Sequence, residues 1–334
     1  MGTPLLELRD VSREYRARRG FFDPRHRTVQ AVDGVDIRIH SGEILGLVGE
    51  SGCGKSTVAR LALGLEAPSR GRVSYRGRDL KEITKKDARV FRREVQMVFQ
   101  DPFSSLNPKK TVFQTVREPL RIHGLCSQVE ERERVKGLLA EVGIDGKALD
   151  RYPHEFSGGQ RQRIGLARAL ATCPALVVAD EPTSALDVSI QAQIVNLFLD
   201  LHERHRLSYL FISHDLPLVR FVSHRVGVMY QGRIVEVFPT GDSCPSKSSA
   251  EVHHPYTRFL FDAVPVPDPS RRGRPAIKVR EYLPAAKEDR EPNRGIGCPF
   301  APRCDKKGDV CLVEIPRPVM IGPDHVIACH FPFK

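Results

Sequence analysis

The stretch GESGCGKS, residues 49–56, decides the fold of this chain. It fits the pattern G-x-x-x-x-G-K-[ST], in which glycines let backbone N–H groups turn inward and cradle phosphate oxygens. Lys55 is expected to reach the β- and γ-phosphates of a nucleotide, and the Ser56 hydroxyl to hold Mg²⁺. The predicted phosphate-binding residues are Gly49, Glu50, Ser51, Gly52, Cys53, Gly54, Lys55, Ser56 and Thr57.

The flanks of this loop have the pattern that its mechanism requires. A short apolar run, Ile44 to Val48, precedes it, which is typical of a parallel strand buried on both faces. Helical periodicity follows it, so that the positive N-terminus of a helix points at the bound anion. Strand, glycine-rich loop and helix together predict an α/β fold of the phosphate-loop type.

Two further buried strands are predicted to end in polar residues. Residues 175–179 lead into Asp180 and Glu181, and residues 209–212 lead into Ser213 and His214. Open parallel sheets bind ligands at the carboxyl ends of their strands, so these side chains are expected to converge on the phosphate loop. Asp180 is suited to holding the water shell of Mg²⁺, Glu181 to orienting or deprotonating an attacking water, and His214 to binding a γ-phosphate oxygen.

Composition sets the limits on other classes of protein. The 334 residues carry 52 Lys+Arg against 41 Asp+Glu, a net charge of +11, with 40% apolar residues. This apolar content is ordinary for a globular protein, which argues against a disordered or collagen-like chain. The basic excess fits nucleic acid, an anionic membrane, polyphosphate handling or merely solvated faces. No stretch approaches the length of a membrane span, and the first residues lack a secretory signal, so a reducing cytoplasmic compartment is expected.

Five more segments stand in a familiar order along the chain. They are VFQDP with Gln100, FSGGQRQR at 156–163, ALVVADEP at 175–182, SALD at 184–187 and ISHD with His214. Together with the phosphate loop they resemble the nucleotide-binding subunit of an ABC transporter, over about residues 5–240. The resemblance implies a RecA-like parallel sheet core with antiparallel β and helical subdomains. It also implies a cassette over residues 1–240 with a helical insertion at about 101–165.

The resemblance also implies a role for each motif residue. Tyr15 would stack on adenine, and Gln100 would contact Mg²⁺ and the attacking water and link to the membrane subunits. Asp180 would support Mg²⁺, Glu181 would be the general base, and His214 would sense the γ-phosphate.

The signature segment would act across a dimer. Ser157, Gly158, Gly159 and Gln160 would cap the ATP held by a facing subunit, and Asp187 belongs to the adjoining D-loop. Each ATP site would then be completed in trans.

Four of the eight cysteines lie near the C-terminus, at Cys298, Cys304, Cys311 and Cys329. Their separations of five, six and seventeen residues lack the close pair usual for zinc and match neither ferredoxin pattern. From spacing alone an iron–sulfur centre, a zinc site and incidental buried thiols all stay open. The other cysteines are interpreted as packing or surface residues, and Cys53 is expected to be accessible to alkylation unless ATP protects it.

Several segments resemble the ATPases of dipeptide and oligopeptide importers, and most of all their second ATPase subunit. They are HHPYTRFLFDAVP, GCPFAPRC and the late ACH, with QDPFSSLNP after Gln100 and GFFDPRHRTV after Tyr15. The resemblance implies a C-terminal extension over residues 241–334, irregular and metal-binding, in which the four cysteines hold a [4Fe-4S] cluster, with zinc the weaker choice.

The same resemblance implies the partners and the place of the chain. A related second ATPase subunit would form a heterodimer with it, with two transmembrane permease subunits and an extracytoplasmic binding protein. The chain would lie at the cytoplasmic face of the bacterial inner membrane, with ATP and Mg²⁺ bound and no nucleic acid. Importers of nickel or glutathione share part of the pattern, and a nucleic-acid-acting ABC ATPase is the more distant alternative.

Overall fold

The computed structural model describes residues 2–18, 26–101, 105–240, 252–263 and 296–332. The segment GFFDPRHRTV lies largely outside these ranges, as does the middle of QDPFSSLNP. Cys244 and the proline-rich segment 265–295, whose composition predicts a linker or an irregular surface segment, lie wholly outside them.

An antiparallel sheet of four strands forms one layer, in the order β2-β1-β4-β5. Apolar residues alternate along β2, so Val35, Ile37 and Ile39 are buried while the residues between them are more exposed. The strands are β1 (Leu6–Arg18), β2 (His26–Ile39), β4 (Arg70–Tyr75) and β5 (Arg78–Asp79).

The central sheet contains the parallel core that the sequence predicts. It runs β11-β12-β10-β9-β3-β8-β7-β6, and β6, β7, β8, β3 and β9 are mutually parallel. Every residue of Ile44–Val48 is buried, as the unbroken apolar run requires. The strands of this part are β3 (Ile44–Val48), β6 (Val95–Val98), β7 (Leu176–Asp180), β8 (Ser208–Ser213), β9 (Arg225–Tyr230) and β10 (Arg233–Pro239).

Helices cover this sheet and form a separate group between β6 and β7. The inserted group comprises α4 and α5, which pack on each other and on α6. Thr111 begins α4 with a reciprocal capping box, and Gly124 ends it in the left-handed conformation. The helices of the cassette are α1 (Lys55–Ala62), α2 (Leu80–Lys86), α3 (Ala88–Glu94), α4 (Val112–His123), α5 (Glu131–Glu141), α6 (Gly158–Leu170), α7 (Val188–His205) and α8 (Leu216–Val222).

The C-terminal segments are more regular than the expectation of an irregular extension. β12 pairs antiparallel with β10, with Glu236 opposite Ile327 and Val237 opposite Val326. The extension therefore contributes strands to the central sheet. Its elements are α9 (Pro255–Asp262), α10 (Val310–Val313), β11 (Val319–Gly322) and β12 (His325–Ile327).

Within the described ranges, no helix has both the length and the apolar character needed to cross a bilayer.

Candidate active site

A cleft of about 520 Å³ opens at the carboxyl ends of the central strands. It brings together most of the residues that the sequence singles out on three separate strands and on the phosphate loop. Its lining consists of Ala31, Ser51, Gly52, Gly54, Lys55, Ser56, Thr57, Gln100, Glu181 and His214.

The phosphate loop wraps around the side chain of Lys55. The Lys55 ammonium is buried and donates to the carbonyl oxygens of Gly49 at 2.7 Å and Glu50 at 3.1 Å. Gly54 precedes α1 with φ of 112°, and a Cβ there would lie 2.2 Å from the Ala31 carbonyl oxygen. Only glycine fits this position, because both the backbone conformation and the close approach exclude a side chain. The first N–H groups of α1 are therefore free to face an anion.

Ser56 and Asp180 form a site with the donors that Mg²⁺ prefers. Burial raises the pKa of Asp180, while a hydrogen bond from the Ser56 side chain lowers it. One carboxylate oxygen, Oδ1 of Asp180, is buried and has no hydrogen-bond partner among the described residues. A buried carboxylate oxygen is costly to leave unpaired, so this pair fits a hydrated Mg²⁺.

Gln100, Glu181 and His214 meet at one point of the cleft. The Gln100 Nε2 donates to Glu181 Oε2 at 3.1 Å, and His214 Nδ1 lies 3.4 Å from the same oxygen. The Glu181 side chain is mostly buried, whereas that of His214 is 59% exposed. A carboxylate held by an amide and an imidazole is oriented to accept a proton from water in the cleft.

The backbone of Glu181 is strained. Its φ of 45° is in the left-handed region, which non-glycine residues seldom adopt. The Glu181 N–H bonds the Ile212 carbonyl oxygen of β8 at 2.9 Å, and the Glu181 carbonyl oxygen accepts from the Ser184 hydroxyl. Neighbouring structure therefore holds a conformation that costs about 1–2 kcal/mol, and this aims the carboxylate into the cleft.

Tyr15 is not among the cleft-lining residues of the described chain. Its hydroxyl donates to Glu66 at 2.5 Å, and the Arg13 guanidinium lies 5.0 Å from its ring centroid. Arg13 therefore lies over one face of the ring.

The signature residues lie away from this cleft. Ser157 begins α6 with a capping box: its hydroxyl accepts from the Gln160 N–H at 3.3 Å, and its own N–H donates to the Gln160 side chain at 3.0 Å. Both side chains are exposed. Gly159 is close to α7, since a Cβ there would lie 2.4 Å from Ile190 Cγ2. Asp187 begins α7 without a side-chain cap.

The expectation that Cys53 is accessible is wrong. Its residual exposure is 6%, its Sγ lies 3.9 Å from the Lys55 ammonium, and burial raises the pKa of its thiol. A buried, protonated thiol reacts slowly with alkylating reagents whether or not ATP is bound.

The four C-terminal cysteines do come together. Cys298, Cys304, Cys311 and Cys329 line one small cavity of about 10 Å³, and all four are free. Burial raises the pKa of Cys298 and Cys304, and that of Cys329 to about 12. His254 lines the same cavity, and its Nε2 is buried without a hydrogen-bond partner among the described residues.

A buried polar cluster joins the extension to β10. Glu236 Oε1 lies 2.7 Å from His253 Nδ1 and 2.9 Å from His325 Nε2, and Glu236 Oε2 accepts from the His254 N–H. Burial alone would raise the pKa of Glu236, but the hydrogen bonds from the two histidines outweigh it and hold the pKa at about 2.

Sequence reasoning missed two residues that reach the phosphate loop. The Tyr256 hydroxyl accepts a hydrogen bond from the Glu50 N–H, and the Arg303 guanidinium pairs with the Glu50 carboxylate. Tyr256 is part of a segment quoted above as a mark of its subclass. The positions of Tyr256 and Arg303 in the sequence give no indication that they contact a loop more than 200 residues earlier.

Two family models match this chain. One, described as ABC transporter, matches residues 32–184, and the other, described as the C-terminal region of oligopeptide/dipeptide transporters, matches residues 247–311.

Similar proteins extend over nearly the whole length. The oligopeptide transport ATP-binding protein AppF of Bacillus subtilis is 45% identical over 98% of this chain and 97% of its own length. The di/tripeptide transport ATP-binding protein DppF of Pseudomonas aeruginosa is 44% identical over 98% and 97%. Among solved structures, a dimeric ATP-binding cassette in a post-hydrolysis state bound to ADP and Pi has a TM-score of 0.63 and 27% identity. It covers 71% of this chain and 99% of that one.

Proposed function

This chain belongs to the ATP-binding subunits of ABC transporters, and we propose that it hydrolyses ATP to energise the import of di- or oligopeptides. The similarity to peptide-transport relatives over 98% of the chain carries this proposal, since it includes both the cassette and the extension. The cleft supports the ATPase reaction, because the phosphate loop, Gln100 and Glu181 line it and Asp180 accepts a hydrogen bond from Ser56 of the same loop. A nickel or glutathione cargo and a nucleic-acid-acting ATPase are not favoured.

Uptake by cells tests the cargo. Deletion of the gene for this chain is expected to abolish uptake of labelled di- and oligopeptides while uptake of labelled nickel and glutathione continues. Wild-type protein restores peptide uptake, and the Glu181→Gln variant does not. Loss of nickel or glutathione uptake with intact peptide uptake would contradict the proposed cargo.

In the proposed reaction, backbone N–H groups of residues 51–56 and the Lys55 ammonium bind the β- and γ-phosphates. Ser56, Asp180 and Gln100 would hold Mg²⁺, which neutralises phosphate charge. Glu181 takes the proton of the attacking water, and its hydrogen bond from Gln100 fixes the carboxylate. His214, beside the same oxygen, contacts the γ-phosphate. Tyr15 stacks on adenine.

A second ATPase subunit completes the site in this proposal. Ser157, Gly158, Gly159 and Gln160 would contact the γ-phosphate of ATP bound to the facing chain, together with the exposed start of α6. Their position outside the chain's own cleft supports this role, and so does the dimeric state of the similar solved cassette. Asp187 would lie at the same interface.

Membrane permease subunits follow from membership of a peptide importer. We propose two of them, with a related second ATPase and an extracytoplasmic binding protein, and attachment of the cassette to the cytoplasmic face of the membrane. The inserted helices α4 and α5 follow Gln100 along the chain, and so are suited to transmitting the state of the cleft to a permease.

We also propose that the four C-terminal cysteines hold a [4Fe-4S] cluster. The donor set fits, because four thiols line one cavity. His254 fits as well: its Nδ1 accepts from the Tyr256 N–H at 3.0 Å, so Nε2 carries the proton and is available to donate to a sulfur. Nearby N–H donors stabilise such clusters and shift their potential.

The spacing of the sulfur atoms favours a cluster over zinc. A tetrahedral zinc ion with Zn–S bonds of about 2.3 Å brings its sulfurs to about 3.8 Å from one another. Among the described residues, the one group of three or more ligand atoms lying within 4.8 Å of one another is Glu236, His253 and His325. Thiols farther apart suit a cluster in which each binds a different iron.

Metal analysis of anaerobically purified protein tests this proposal. We expect about four iron and four sulfide per chain with broad visible absorption, both lost in Cys311→Ser. Cys173→Ser, which changes an exposed thiol, is the matched control. One zinc per chain, or no metal, would contradict the cluster.

A further inference from the structure

We propose that Tyr256 and Arg303 are positioning residues of the ATP site, which hold the phosphate loop in its binding conformation from the C-terminal extension. Both contact Glu50, the second residue of the loop. This inference goes beyond the proposed function, because it gives the extension a part in nucleotide binding whatever the cargo is.

Tyr256 is a buried and rigid contact. It is 0% exposed, and its hydroxyl accepts from the Glu50 N–H at 3.0 Å. Its ring packs against Tyr230 of β9 and Phe300 of the extension, with centroids 4.7 and 5.4 Å apart. Because Tyr230 and Phe300 hold the Tyr256 ring in place, its hydroxyl is a fixed acceptor for the Glu50 N–H.

The start of α9 fixes Tyr256 to the central sheet. His254 caps this helix by accepting from the Tyr256 N–H at 3.0 Å, and the His254 N–H donates to Glu236 of β10 at 2.9 Å. The hydroxyl of Tyr256 therefore has little freedom to move away from Glu50.

Arg303 makes a two-pronged ion pair with the side chain of Glu50. Its two terminal nitrogens each lie 2.9 Å from a different Glu50 carboxylate oxygen. The guanidinium also lies 5.4 Å from the ring centroid of Phe259 and 5.8 Å from that of Tyr230. Parallel hydrogen bonds and ring stacking fix an arginine far better than a single surface contact does.

Through Glu50, these contacts also restrain the position of Lys55. The Lys55 ammonium donates to the carbonyl oxygens of Glu50 and its neighbour Gly49. A shift of the Glu50 backbone would therefore move the two acceptors that hold Lys55. Tyr256 fixes the N–H of Glu50 and Arg303 fixes its side chain, so the two contacts together limit that shift.

The alternative is that Glu50 serves only as an anchor for the extension. In that case, loss of the contacts loosens the extension and leaves the ATP site unchanged. The two roles differ in one measurable quantity, the affinity of the full chain for ATP.

Tyr256→Phe is the first test, because it removes the hydroxyl and keeps the ring. We expect the Kd of the purified full chain for ATP, and the KM for ATP of the assembled transporter, to rise about three- to tenfold, as the loss of one hydrogen bond implies. The expected kcat at saturating ATP stays within about twofold. Tyr75→Phe is the matched control, since it also loses a tyrosine hydrogen bond, to Glu94 at 2.6 Å, but lies outside the cleft.

A double-mutant cycle between Glu50→Gln and Arg303→Gln is the second test. We expect each single variant to raise the Kd for ATP and the double variant to raise it no further than the larger single effect. Arg303→Lys is expected to restore part of the affinity, because it keeps the charge and loses the second prong. The Arg303→Gln variant also serves as the reporter if Tyr256→Phe fails to fold.

Limited proteolysis of the extension separates the outcomes. A raised Kd for ATP with an intact, protease-resistant extension supports a positioning role. A Kd unchanged within twofold in Tyr256→Phe or in Arg303→Gln, or additive effects in the cycle, would overturn the proposal. ATP binding by the chain alone does not depend on the cargo, so failure here leaves the proposed peptide import unaffected.

Discussion

The side-chain amide of Gln100 donates to the carboxylate of Glu181 over 3.1 Å, although the two residues are 81 positions apart in the chain. Gln100 follows β6 and Glu181 follows β7, and these two strands are adjacent and parallel in the central sheet. The contact therefore places the residue after β6 beside the proposed general base.

Replacing Glu181 by Gln tests the proposed base. The amide keeps the size of the side chain but cannot accept the proton, so we expect ATP hydrolysis by the assembled transporter to fall by at least about a hundredfold. The Kd for ATP, measured by equilibrium binding, stays within about threefold. Glu203→Gln on the exposed face of α7 is the control. Wild-type turnover in Glu181→Gln would remove Glu181 from this role.

Replacing Asp180 by Asn is expected to separate stability from activity. Burial raises the pKa of Asp180, so the ionised carboxylate at pH 7 destabilises the metal-free chain, and the neutral amide should stabilise it by about 1 kcal/mol. The same change removes a proposed ligand of Mg²⁺, so we expect hydrolysis to become much weaker and to require more Mg²⁺.

Thermal unfolding without nucleotide and Mg²⁺ titration of the ATPase measure these two effects. By the sign of its pKa shift, the penalty from Asp180 is absent at low pH and grows as pH rises through the folded-state pKa. The Asn variant should lack that dependence. A less stable Asn variant with a normal Mg²⁺ requirement would contradict both halves of the prediction.

Replacing Ser157 by Ala tests whether the signature acts across the dimer. We expect the Kd of the isolated chain for ATP to stay unchanged, and hydrolysis by the assembled pair of ATPases to fall by about tenfold or more. Loss of the helix cap also lowers stability by about 1 kcal/mol. Thr111→Ala matches that loss, because Thr111 has the same capping box on α4. Weaker ATP binding by the isolated Ser157 variant would place the serine in its own chain's site.

Glu236 is expected to make the docking of the extension sensitive to acid. Its pKa of about 2 is below the ordinary value of 4.5, so its stabilising effect is complete above pH 4.5 and is lost as pH falls from there toward 2. Its loss through Glu236→Gln should cost about 3 kcal/mol at pH 7, because buried His253 and partly buried His325 lose a charged partner.

Hydrogen exchange in β12 and acid unfolding curves check this effect. The Gln variant should show faster exchange at neutral pH and a weaker dependence of stability on pH between 4.5 and 2. Arg258, which pairs with Asp262 on the exposed side of α9, provides the control through Asp262→Asn. Equal exchange in both variants would show that Glu236 does not hold the extension.

The chemistry of the ATP site was predictable because short contiguous motifs supply its residues. The phosphate loop needs glycine where φ is 112° at Gly54, and the polar residues of the sheet edge directly follow buried strands. Parallel strands place their carboxyl ends at one edge, so Asp180, Glu181 and His214 could be expected to converge on the phosphate loop, while Gln100 was assigned by the resemblance of VFQDP to the ABC cassette. The position of Tyr15 beside Arg13 and Glu66, and the burial of Cys53, depend on neighbours that no local pattern specifies.

The fold class, the nucleotide and the family can be read from the sequence, because each depends on residue types at fixed short spacings. That β12 extends the central sheet, and that Tyr256 and Arg303 contact Glu50, is visible only in the folded structure. These contacts join parts of the chain that are separated by up to 253 positions. Their formation depends on how the extension packs over β9 and β10. Packing of this kind has no periodic sequence pattern from which it could be predicted.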